Sequence, residues 1–306
     1  MSDITLAGET LPASIDSDTR PLSESDLAAL RRAVRALEQP GLAARLSAAA
    51  GAPLDIIGRS LPAPVTEAVA RSTETAMRGA LRVALATLPK KEIVTDGTEV
   101  APISATRTGR FARLFQSSEL NHKALAAISG AVGGAFGLAT LAVELPLSTT
   151  LMLRSIAEIA REEGEEIETP EGALACVQVF ALGGRGSETG LAESGYFAVR
   201  AALAKTMAEA ARYAGSRSLV EEAAPALLRF TAQIAARFGV VVSQKVAAQA
   251  IPILGAFGGA AVNTAFMDHF QSTARAHFTV RRLERSYGKA TVRAAYEVEK
   301  AALSSV

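Results

Sequence analysis

Few residues in this chain have both the type and the surroundings to do chemistry, and Glu144 stands first. It is the only charge in Ala124–Leu153, ALAAISGAVGGAFGLATLAVELPLSTTLML. A carboxylate inside an apolar helix is costly unless it is paired. In a membrane it would mark a functional site. The alternative is that Pro146 ends the helix there and Glu144 reaches solvent or an arginine. Asn263, Asp268, His269 and His277 form a second polar series in a later apolar stretch. His269 and His277 lie too far apart in sequence for a His-x-x-x-His metal pair, so no metal site is expected.

Other motifs point to no reaction. Gly183–Gly190 reads GGRGSETG. Its GxGxxxG spacing departs from the dinucleotide pattern GxGxxG, and a glycine stop at a helix C-terminus explains it better. Ser187 does not sit in G-x-S-x-G. No catalytic or cofactor-binding residue is assigned and no cofactor is expected. An enzymatic reading, most plausibly a hydrolase, would have to use a cleft near Glu144, Asp268 and His269. An apolar-ligand carrier would use the same cleft.

The elements that must position these residues are two glycine-rich apolar helices. GAVGGA at 130–135 matches GAFGGA at 255–260 in a partial internal repeat. Glycine costs a helix about 1 kcal/mol relative to alanine, so packing must compensate. Gly130/Gly134 and Gly255/Gly259 are each four apart, on one helix face, and suit a close helix crossing. The repeat places Glu144 opposite His269. An antiparallel crossing, the favoured orientation, would keep those two side chains at opposite ends.

Composition bounds the class. The chain has 306 residues, a net charge of +1, 49% hydrophobic residues, 5% aromatics and no Trp. That excludes a bulk electrostatic case for nucleic acid. A single cysteine, Cys176, fits a reducing compartment. The first residues lack the basic and apolar regions of a signal peptide, which fits a cytoplasmic protein. Met1–Pro21 is polar and aperiodic and reads as a disordered tail, with one helical domain over 22–306.

Periodicity predicts helices throughout and no alternating strand, hence an all-α multi-helix bundle. Ser23 caps a helix over Glu24–Gln39, and Pro62 and Pro64 open one over Val65–Leu88. Pro146 is expected to kink or break the first glycine helix, with a new helix from Leu147 to Gly164. Thr169-Pro170 starts a helix to Leu182. Helices follow over Thr189–Tyr213, Leu219–Phe238 and Val240–Ala250, then from the second glycine stretch to Tyr287 and over Ala290–Ala302.

Taken in order, these stretches resemble the EcsC protein family from about Leu27 to Gly288. The features are the small-residue helix with Glu144-Leu145-Pro146, then LMLRSIAEIAREEG, the helix after Thr169-Pro170, IPILGAFGGAAVNTAFMDHF, and ARAHFTVRRLERSYG. Glu144 stands where the family pattern usually has Asp. The resemblance implies a helical, hydrophobic bacterial protein linked to an ABC-type transporter system and to secretion. It implies no catalytic residues.

The expected function is therefore a non-catalytic accessory or scaffold at the cytoplasmic membrane face. Its partner would be a membrane surface or a transporter subunit, not nucleic acid. The basic residues Arg281, Arg282 and Arg285 follow the second glycine stretch and suit contact with anionic lipid. Integral membrane placement is the alternative, and the sequence leaves the oligomeric state open.

Overall fold

The computed structural model describes residues 21–38, 42, 61–88, 141–184, 195–216, 225–249 and 252–304. Every regular element among them is helical. In chain order these are α1 (Glu24–Glu38), α2 (Ala63–Leu85), α3 (Leu141–Glu162), α4 (Pro170–Leu182), α5 (Tyr196–Ser216), α6 (Pro225–Gln249), α7 (Pro252–Tyr287) and α8 (Lys289–Ser304). The protein is all-α.

The bundle is organised around α4, whose residues from Gly172 to Leu182 are all buried. The segment PEGALACVQVFAL is apolar on every side, as a central helix must be. The Thr169 hydroxyl caps it, accepting from the Gly172 N–H at 3.1 Å, and Pro170 pre-sets the first turn. Around it pack α2, α3, α5, α6 and α7. Phe180 of α4 meets Phe238 of α6 at 5.1 Å and Phe270 of α7 at 5.4 Å between ring centroids, which ties three helices together. The α1 helix, with Leu30, Val34 and Leu37 buried, lies against α7 and α8.

Two expectations about breaks are corrected. Pro146 lies inside α3 and does not end it. Proline lacks only its own N–H, so one hydrogen bond is lost while the packed helix continues. Gly239 likewise lies inside α6, which runs without a break from Pro225 to Gln249. There tertiary packing outweighs a propensity loss of about 1 kcal/mol.

The α3 helix stops where a glycine is required. Gly164 has φ +71°, with hydrogen bonds from Gly164 N to Arg161 O (2.9 Å) and from Glu165 N to Ala160 O (2.8 Å). This is the Schellman arrangement, and it turns Glu163 and Glu165 off the end of the helix.

The α3 and α7 helices run parallel. Gln271 donates to Ser155 at 2.7 Å and Thr279 to Glu163 at 2.9 Å, both pairs separated by 116 residues. The antiparallel crossing expected of the two glycine faces lies outside the described residues. Gly130 and Gly134 lie outside the described residues. Gly255 and Gly259 lie within α7, where the packing around them is likewise outside the described residues.

Candidate functional site

Glu144 projects from the start of α3 into the protein and meets Lys245 of α6. Lys245 Nζ donates to Glu144 Oε1 at 2.8 Å, and the two side chains are 1% and 7% exposed for Lys245 and Glu144. The ammonium also stands 5.0 Å from the centroid of Phe266 on α7. Burial pulls the Lys245 pKa below its ordinary value, and the Glu144 carboxylate opposes that only in part. The pair links α3 to α6, both of which pack on α2.

A second polar cluster joins the α3–α4 turn to the end of α7. Arg281 grips Glu165 with two N–H groups, through Nε at 2.9 Å and through Nη2. Arg285 adds Nη1 to Glu165 Oε2 at 2.6 Å and Nη2 to the Glu163 carbonyl at 2.7 Å. Arg282 bridges Glu163 at 2.8 Å and Asp26 of α1 at 3.0 Å. Burial raises the pKa of Glu165, but the arginines outweigh it and hold the carboxyl below its usual range. The Tyr287 hydroxyl, then Arg282, lower that of Asp26.

A third network lies between α5 and α7. Arg200 holds Glu284 with two bonds of 2.8 Å and donates to the Tyr196 hydroxyl at 3.2 Å. The Tyr196 hydroxyl is also hydrogen-bonded to His277 Nδ1 at 2.9 Å. His277 is fully buried. Burial, then Arg200 and Arg281, keep it neutral well below its ordinary pKa. Tyr296 of α8 stacks on Tyr196 at 5.6 Å.

The structure does not bring Glu144 and His269 together. Glu144 takes Lys245. His269 donates from Nε2 to the Gly183 carbonyl at 2.8 Å, satisfying the end of α4. Asn263 is buried on α7, and Asp268 is half-buried beside His269. The offset of 116 residues sets His269 level with Leu153 of α3, roughly 13 Å along the axis from Glu144 at 1.5 Å per residue. The repeat alignment uses an offset of 125 residues, so equivalent positions in the repeat are not neighbours in space. Gly183 is needed for close approach, since a Cβ there would run into the Phe270 ring. That accounts for the first glycine of GGRGSETG; residues 185–190 lie outside the described residues.

Cys176 is buried and its thiol is pushed up to about 12, chiefly by desolvation, so it is no nucleophile. Among the described residues, no group of three or more His, Cys, Asp or Glu could hold a metal ion.

Lys245 was missed in the sequence, although a signal was there. It is the only charge from Phe238 to Met267, as Glu144 is from Ala124 to Leu153. Two long apolar runs with one charge each, of opposite sign, call for a pair.

A family comparison finds that the model of the EcsC protein family matches residues 24–283. The chain belongs to the EcsC family. The match takes in α1 through most of α7, so the Glu144–Lys245 pair, Arg281, Arg282 and His277 fall within the EcsC region, while Glu284, Arg285 and Tyr296 lie just beyond it. No curated protein and no solved structure matches the chain.

Proposed function

We propose that this EcsC family member is a non-catalytic helical accessory protein that works at the cytoplasmic membrane face and serves a transporter or secretion process. The observation that carries the non-catalytic part is how its polar groups are spent. Glu144 is held by Lys245, His277 by Tyr196, His269 by a backbone carbonyl, and Arg281, Arg282 and Arg285 by Glu163, Glu165 and Asp26. Each tie joins two parts of the bundle that are far apart in the chain. Groups fixed in this way order a scaffold and are not free to exchange protons with a substrate.

The membrane-face reading draws on EcsC membership; α6 packs into the bundle through Leu227, Phe230, Ile234 and Phe238. It is long and apolar enough to cross a membrane by length and composition. The link to transport is what EcsC membership suggests. Fractionating cells that express the untagged chain tests the reading. The protein is expected with the membranes; recovery wholly in the soluble fraction would contradict it.

One observation favours a second reading, carriage of an apolar ligand. A groove of about 510 Å³ lies between α2 and α6, lined by small residues such as Ala70, Ala232, Ala236 and Gly239. It is not the cleft near Glu144, Asp268 and His269 that the sequence suggested. Displacement of a fluorescent fatty acid would support carriage; an unchanged signal would remove it.

A further inference from the structure

The groove between α2 and α6 holds one polar group that the bundle itself does not use. Other hydroxyls on these two helices are spent on the carbonyl four residues back. Thr66 donates to Pro62 at 3.3 Å, Thr75 to Arg71 at 2.9 Å and Ser243 to Gly239 at 3.0 Å. Thr73 does not follow them. It lines the groove and is 1% exposed, and among the described residues its hydroxyl has no hydrogen-bond partner. A Cβ added at Gly239 would meet the Thr73 methyl carbon at 3.9 Å, so this side chain reaches across the groove toward α6. A hydroxyl buried in this way is costly to the fold unless something meets it.

The rest of the lining decides what can meet it. Thr66 and Ser243, the other hydroxyls there, are already engaged. Glu74 is the only charged residue among the described residues that line the groove, and Arg78 holds it at 2.5 Å. The remaining surface is aliphatic, from Val69, Val240 and small residues. An anionic head would find no cation in this lining and would face the Glu74 carboxylate. An uncharged oxygen would give Thr73 its hydrogen bond without that conflict. A volume of about 510 Å³ is that of a small-molecule site.

We infer that the groove takes an aliphatic chain ending in one uncharged oxygen, of the long-chain alcohol class, with Thr73 as the partner of that oxygen. This rests on the carriage reading above and names its ligand class. The small residues admit the chain, and Thr73 with Glu74 selects a neutral head over an acidic one.

The test is a calorimetric titration of the full chain with 1-decanol and with decanoate at pH 7.5, where the carboxylate is ionised. Decanol is expected to bind at least about tenfold more tightly. Thr73→Val keeps the shape and removes the hydroxyl. It is expected to raise the melting temperature of the free chain, which no longer buries an unpaired hydroxyl, and to weaken decanol binding about 2- to 10-fold. Thr73→Ser is expected to keep the affinity. Ala236→Trp, at an exposed position of the groove, is expected to abolish binding with the melting curve retained. Decanoate bound as tightly as decanol, or decanol binding unmoved by Thr73→Val, would overturn the inference and leave carriage standing. No binding of either compound would overturn both. Self-association that Ala236→Trp abolishes would mean that a second copy covers the groove, and would also overturn the inference.

Discussion

Glu144 and Lys245 lie 101 residues apart in the chain and 2.8 Å apart in the structure, and each is the other's compensation for leaving water. Removing one partner leaves a buried uncompensated charge, which typically costs about 3–5 kcal/mol. Glu144→Gln and Lys245→Met should each lower stability by that order in urea denaturation. Replacing both, as Glu144→Leu with Lys245→Met, should recover most of the loss, because an apolar pair needs no compensation. Single variants as stable as the parent would show that the pair is not formed.

The acid side of the stability curve should have two limbs. His277 is neutral in the folded protein with its pKa held well below 6.5. The unfolded chain therefore binds the proton first as pH falls, so stability drops below about pH 6.5 by up to about 1.4 kcal/mol per unit. Glu165 and Asp26 are held below their ordinary values of 4.5 and 3.8. Their contribution is full above those values and is lost as pH falls through the lower folded values. Melting between pH 7.5 and 5 checks the first limb. His277→Gln should flatten it; an unchanged slope would contradict the assignment.

The arginine cluster predicts a different kind of loss. Glu165 accepts from both Arg281 and Arg285, so Glu165→Gln weakens two charged contacts at once. A stability loss of about 1.5–3 kcal/mol is expected, measured by denaturant unfolding. Arg285→Gln alone should cost less, because that arginine is the more exposed of the two. The reverse order would contradict the geometry.

Gly183 predicts a steric effect. A methyl at this position meets the Phe270 ring, itself fixed among Phe180, Phe238 and Phe266. Gly183→Ala should cost about 1–3 kcal/mol by overpacking. Adding Phe270→Leu should return part of it. A thermal melt that is unmoved by Gly183→Ala would mean that the ring yields freely.

Local signals were the legible ones. The Thr169 cap and Pro170 placed the start of α4, and Leu182 its end, because capping chemistry is written within a few residues. Ser23 did the same for α1, accepting from the Asp26 N–H at 3.2 Å. Pro146 and Gly239 were misread as breaks, since propensity is visible in the sequence and the packing that overrides it is not. The site was legible only in half. Glu144 stood out as a lone charge, but its partner lies on another helix, and the repeat pointed to His269. The parallel register of α3 and α7 depends on Ser155–Gln271 and Glu163–Thr279, contacts that no local pattern announces.

The central claim, that this EcsC protein works at a membrane, is tested most directly by vesicle flotation of the unmodified chain. Neutral phosphatidylcholine vesicles are used at about 0.1 M and about 1 M salt, where the screening length falls from roughly 10 to roughly 3 Å. The chain should float with the vesicles equally at both salt concentrations. No flotation with neutral or with anionic vesicles would contradict it.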